Sequence, residues 1–256
     1  MQSPHADLLA RRRARLRTPT PKPKPKPKPK RKLWRRVFRT LLAVIILGHI
    51  WLLAHAVLPV PITANMILRP DGTELQKKWT PIEQISPNLV RAVIGAEDSR
   101  FCSHRGIDFE ALEDAVEDNR SGGRRRGGST ITQQTAKNVY LWNGGGYMRK
   151  ALEAYAALFI DAVWSKRRIM EVYLNVAEWG DGIYGAEAAA QARFGKPAAE
   201  LTEREAALLA SVLPSPNKWR VDPPGPYVSS RAGTLQARAR VVRSEGLAGC
   251  VLDQGS

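Results

Sequence analysis

The stretch "NLVRAVIGAEDSRFCSH", residues 88 to 104, sets two acids at the end of an apolar run. Ahead of it, Ser86-Pro87 pairs an N-cap residue with proline at the first helical position, where no N–H is needed. The spacing predicts a helix through Asp98, with Leu89, Val93, Ala96 and Glu97 on one face. Glu97 thus closes an apolar stripe. A carboxylate placed there is partly desolvated, which raises its pKa and makes it a stronger base. The same residue also reads as a solvated helix-end acid beside Arg100, and the stripe alone does not choose.

Working outward, "FEALEDAVEDN" (109–119) predicts a second helix. "RSGGRRRGGSTIT" (120–132) holds four Gly and four Arg, which argues against regular structure. It reads as a basic loop, either a plain connector or a flap gripping anions through arginine. From about 147 to 213 the pattern is helical throughout, and Thr202 with Glu205 forms a capping box. Upstream, "MILRPDGTELQKKW" (66–79) predicts two short strands around an Asp71-Gly72 hairpin turn. The expected fold class is therefore mainly α with a small β element at its start.

The chain has 256 residues and a formal charge of +16. Residues 1 to 40 carry 15 Lys/Arg and one Asp, a net +14, which leaves +2 for the other 216. The basic character belongs to a tail, so nucleic acid is not the expected partner. Within that tail the repeated Lys-Pro of residues 21–30 cannot be helical and predicts an extended, solvated arm. "LLAVIILGHIWLLAHAVL" (41–58) has no formal charge over 18 residues, about the length of a membrane span. Arg35, Arg36 and Arg39 precede it, placing the N-terminus in the cytoplasm and the body outside. A cleaved signal peptide is the competing reading, since Ala54-His55-Ala56 fits an A-x-A site. The apolar run continues past that site, which favours an uncleaved anchor. The expected organisation is a basic tail (1–40), an anchor (41–58), a catalytic body (59–222) and a partly helical C-terminal tail (223–256). Cys102 and Cys250 are the only cysteines. They are too few for a disulfide framework, yet able to pair in an oxidising compartment.

Four blocks occur in order: "EDSRFCSHRGID" (97–108), "GGSTITQQTAKN" (127–138), "RKALE" (149–153) and "KRRIMEVYLN" (166–175). Together they closely resemble the signature blocks of glycosyltransferase family 51, the peptidoglycan polymerases. Residues 171–218 are similar to its monofunctional, single-domain members in particular. The resemblance spans roughly residues 62–220. It implies a lysozyme-like, two-lobed fold and polymerisation of lipid II, a disaccharide-pentapeptide on a polyprenyl diphosphate, into β-1,4-linked glycan. The donor is linked α to its diphosphate, so the implied displacement inverts the anomeric carbon. Such a step needs a base on the acceptor hydroxyl and positive charge on the leaving diphosphate.

The resemblance carries over residue by residue. Glu97 matches the catalytic glutamate and Glu153 the second essential one. Asp98 adjoins Glu97 and either raises its pKa or bonds locally. His104 and Gly106 complete the first block, with His104 orienting the Glu97 turn or acting directly. Asp98 and His104 are both expected among the substrate-binding residues. Ser129, Thr130, Gln133 and Gln134 are expected to line the cleft with hydroxyl and amide groups, with Ser129 or Thr130 also capping a helix. Lys137, Arg149 and Lys150 are expected to hold the diphosphate, with Glu153 orienting the cations from one helix face. A divalent cation, Mg or Mn, is a candidate at the diphosphate, although no residue pattern fixes its ligands. The implied partners are lipid II, the growing glycan and inner-membrane lipid, with other cell-wall synthesis or division proteins as candidates. Cys102 stands where many relatives carry a larger residue, and it reads as a small buried hydrophobe.

Two rivals make different demands. A lytic enzyme of the same broad fold also uses one glutamate but has no call for three cations around a diphosphate. A non-catalytic membrane scaffold working through its Lys-Pro arm tolerates loss of Glu97. Ser215-Pro216-Asn217-Lys218 fits the S-x-x-K motif of penicillin-binding enzymes, but Pro216 and the following "WRVDPPGP" predict a loop and no Lys-Thr-Gly occurs.

Overall fold

The computed structural model describes residues 31–68, 73–122 and 127–253. The Lys-Pro arm, the Asp71-Gly72 turn and Arg124 to Arg126 lie outside these described residues. Two units are present, one ending at Leu47 and one beginning at Gly48.

The elements in chain order are α1 (Arg31–Ala54), α2 (Ala64–Ile67), β1 (Gln76–Lys77), α3 (Pro87–Glu97), α4 (Phe109–Arg120), α5 (Ile131–Tyr140), α6 (Gly146–Val163), α7 (Lys166–Val176), β2 (Glu178–Gly180), β3 (Ile183–Tyr184), α8 (Ala186–Phe194), α9 (Glu203–Val212), α10 (Pro226–Ser244) and α11 (Gly249–Leu252). The mainly α expectation holds. Among the described residues, α1 alone is long and apolar enough to cross a membrane, over Leu33–Ala54. It starts and ends earlier than the 41–58 segment. Nothing in "RKLWRRVFRT" breaks a helix, while the chain turns at residues 55–58 ahead of Pro59.

The start signal of α3 reads true: Ser86 Oγ accepts from Asn88 N at 3.3 Å and donates to Leu201 O at 2.8 Å. Leu89, Val90, Val93 and Ile94 are buried in the core, packed against α9 and α10. α5 opens with a capping box of Thr130 and Gln133, and α9 with one of Thr202 and Glu205. Gly106 has φ +73° and sits against α6, where a Cβ would lie 2.8 Å from Ala157 O. Only glycine fits there.

Four expectations are corrected. Among the described residues of 66–79 the expected strand pair does not form: Ala64–Ile67 is helical, and β1 pairs in parallel with β3, Gln76 opposite Ile183. The stretch 147–213 is not helical throughout. β2 and β3 form an antiparallel pair around Asp181-Gly182 and complete a sheet of order β1-β3-β2. The segment after 222 is not a tail apart from the body. α10 buries Val228, Ala232, Leu235 and Val242, and its Arg238 donates to Gly95 O at 3.4 Å. A Cβ at Gly95 would meet Arg238 Cβ at 3.1 Å, so a small residue on α3 lets the two helices approach closely. Cys102 and Cys250 form a disulfide with Cα atoms 5.6 Å apart, so Cys102 is a bonded half-cystine rather than an inert hydrophobe.

Candidate active site

Glu97 is the last residue of α3, where the apolar stripe ends. Burial pushes its carboxyl above the ordinary glutamate range, against a hydrogen bond from Gln134 and the attraction of Arg231 and Lys137, with Asp98 adding repulsion. Gln134 Nε2 donates to Glu97 Oε2 at 2.8 Å. The solvated helix-end reading is thereby set aside, and Arg100 turns away to grip Asp108 at 2.6 and 2.9 Å.

Asp98 is buried and engaged within the protein. Nε2 of His104 donates to both its oxygens at 3.0 Å, and Ile131 N donates to Oδ2 at 2.9 Å. This pair fastens the turn after Glu97 to the first turn of α5. Thr130 and Gln133 are engaged likewise. Thr130 Oγ1 donates to Gly106 O at 2.6 Å and accepts from Gln133 N at 3.1 Å, while Gln133 Oε1 accepts from Thr130 N at 3.0 Å. Both are buried, which corrects the expectation that they line the cleft: they shape the end of α5.

The cationic cluster assembles as the spacing of "RKALE" predicts. Arg149 Nη1 pairs with Glu153 Oε2 at 2.5 Å, and Lys150 Nζ contacts Glu153 Oε1 and Ser129 Oγ, the latter at 2.8 Å. Glu153 is buried with a cation on each oxygen, so it positions those cations. Lys137 on α5 lies within electrostatic reach of Glu97, Glu153, Arg149 and Lys150, and so links the two acids. Burial lowers its pKa, and the attraction of Glu153 and Glu97 works against that. A partly desolvated cation that shares those acids with Arg149 and Lys150 is relieved further when an anion arrives.

Family comparison converges on the same chain segment. A family model described as transglycosylase matches residues 64–244. The chain belongs to the transglycosylase family. Proteins named biosynthetic peptidoglycan transglycosylase from Caulobacter vibrioides and Rhodospirillum centenum are 50% and 49% identical to it over 223 and 224 residues, covering 86% and 85% of this chain and 97% of each relative. One of the same name from Agrobacterium fabrum is 46% identical over 226 residues, 87% of this chain and 99% of the relative. The chain is accordingly a glycosyltransferase enzyme.

Around the site of this transglycosylase stand residues that sequence reasoning passed over. Arg231 of α10 lies within electrostatic reach of Glu97. A cavity of about 210 Å³ beside Gln134 and Lys137 is lined by Asn65, Asn138, Asn143 and Glu178 as well. Asn138 sits in a block already singled out, while Arg231 sits on the α10 face whose stripe of Val228, Ala232 and Leu235 was legible. Lys166 and Asn175 of the fourth block are scaffold. Lys166 Nζ donates to His104 O at 2.7 Å and pairs with Asp161 at 2.6 Å, and Asn175 clasps Thr80 through both its N–H and its carbonyl at 2.7 and 2.9 Å. A resident divalent ion does not fit beside the cations. Both Glu153 oxygens carry a cation, and the remaining donors there are positive, which suits an anion and not a metal.

Proposed function

We propose that this enzyme polymerises lipid II into β-1,4-linked glycan strands by inverting displacement of polyprenyl diphosphate. The observation that carries the reading is a desolvated carboxylate at Glu97 within electrostatic reach of a half-buried cation at Lys137, which leads on to Arg149 and Lys150. Glu97 takes the proton from the 4-hydroxyl of the incoming lipid II. That oxygen forms its bond to the anomeric carbon of the growing glycan as the carbon–oxygen bond to the diphosphate breaks. The electron pair leaves with the phosphate, and Lys137, Arg149 and Lys150 stabilise the charge that develops. Ser129 and Gln134 face the same region, and Glu153 holds two of the cations in place.

The placement we propose is the inner membrane, crossed once by α1, with the N-terminus cytoplasmic and the catalytic domain periplasmic. Arg35, Arg36 and Arg39 at the N-terminal end of α1 support that orientation. The disulfide supports it independently, since such bonds persist in oxidising compartments. Trp142 and Tyr147, both exposed, are suited to the bilayer interface. In this reading the enzyme serves cell-wall biogenesis and cell shape, with synthesis or division proteins as partners.

The test is polymerisation of purified lipid II by the full-length protein in detergent, with Glu97→Gln beside it. Polymer from the parent and none from the variant supports the reaction and the base together. Polymer from both sinks the role of Glu97. Folded protein with no polymer from either sinks the function, and shortening of preformed glycan indicates the lytic rival.

A further inference from the structure

Tyr173 is 1% exposed on α7, among Ile169, Met170, Val172 and Leu174. A hydroxyl in such surroundings needs a partner. The partner is Gln134, whose Oε1 accepts from Tyr173 OH at 3.3 Å while its Nε2 donates to Glu97 Oε2 at 2.8 Å. The chemistry fixes the direction of this chain. An ionised carboxylate only accepts, so the amide nitrogen must face Glu97 and the amide oxygen must face a donor. A carboxamide has nearly the same shape either way round. Without the phenol hydroxyl no other hydrogen bond among the described residues holds the amide oxygen, and Glu97 alone opposes the flipped form, which would set a carbonyl oxygen against the carboxylate.

We propose that Tyr173 is a positioning residue for the base, orienting the Gln134 carboxamide so that it donates to Glu97. This rests on the reading of Glu97 as the base. The other charged groups acting on Glu97 are Asp98 next to it, Lys137 from α5 and Arg231 from α10. All three remain when the phenol oxygen is removed. Burial also pushes the Tyr173 phenol well above its ordinary range, so it stays a protonated donor across the working pH.

The experiment is the pH dependence of kcat/KM for lipid II polymerisation by the full-length protein and by Tyr173→Phe. Loss of a donor favours protonated Glu97, so the acidic limb moves to higher pH. The expected shift is about one pH unit, or about tenfold in rate below the limb, with KM and the plateau changed far less. In a Gln134→Met background Tyr173→Phe adds no further shift. An acidic limb unmoved in folded Tyr173→Phe overturns the proposal, and so does an additive shift in the double variant. If Tyr173→Phe does not fold, Gln134→Met alone must move the limb upward, and an unmoved limb overturns the proposal equally. Failure of the underlying reading shows elsewhere, as a parent that makes no polymer or a Glu97→Gln that does.

Discussion

Two glutamates anchor the ends of the site, and their surroundings differ in kind. Glu97 is desolvated and meets one neutral donor, Gln134, with Arg231 and Lys137 acting through space. Glu153 is more deeply buried, yet it carries a cation on each oxygen. Burial alone therefore does not make a base. What separates the two is whether the charge that burial penalises is already matched. The unmatched acid is suited to take a proton, and the matched one to hold cations still.

The largest effect that would break this comparison is at Glu97. Glu97→Gln keeps the shape and removes the base, so kcat should fall about 10²–10⁴-fold with an unchanged melting temperature. A fall of only a few-fold in labelled lipid II turnover would erase the distinction. Next comes Lys137→Met, expected to lower kcat about 10²-fold. Stability should change little, because the cost of burying the charge and its attraction to Glu153 and Glu97 oppose each other. A clear loss of melting temperature would show that Lys137 is structural. The same pair sets the pH profile. Glu97 must be ionised and its pKa is raised, so activity is lost on acidification above the ordinary glutamate value of about 4.3. Lys137 must be charged and its pKa is lowered, so activity is lost on alkalinisation below the ordinary lysine value of about 10.4. Limbs at the ordinary values would refute the desolvation argument at both residues.

Glu153→Gln sharpens the comparison from the other side. It leaves Arg149 and Lys150 without their counter-charge, so stability should drop by on the order of 2 kcal/mol, with weaker substrate binding. Thermal unfolding and KM would report it, and an acidic limb that stays in place would separate it from Glu97. The smallest effect on turnover is expected at Cys250→Ser. Losing the cross-link should cost about 2–4 kcal/mol of stability yet leave the rate at 25 °C within about two-fold. A collapse of activity in folded protein would mean that the bond shapes the Glu97 turn.

Local signals were legible in the sequence, and distant ones were not. Ser86-Pro87, Thr202 with Glu205 and the four-residue spacing of Arg149 and Glu153 each act within one helical turn, so their chemistry can be read without the fold. The β1-β3 pairing joins residues more than a hundred positions apart through strands of two residues, too short to show any alternation. Asp181-Gly182 did carry a turn signal, masked by the helical pattern on both sides. α10 hid behind its arginines, although its buried positions recur at helical spacing. The four blocks pointed to the family that the comparison shows. They could not show that Asp98, Thr130 and Gln133 turn inward to bond the protein itself, because that depends on how α3 and α5 meet.

The Cys102–Cys250 bond makes the chain between them a closed ring with a sequence separation of 148. Every element from α4 to α10 lies on that ring, and so do Lys137, Arg149, Lys150 and Glu153, while Glu97 stands just outside it. A single cut by a protease anywhere on the ring leaves one covalent molecule, and two fragments separate only after reduction. The half of the chain that carries the proposed diphosphate cations is in this sense tied to itself, and the proposed base is joined to it through Cys102.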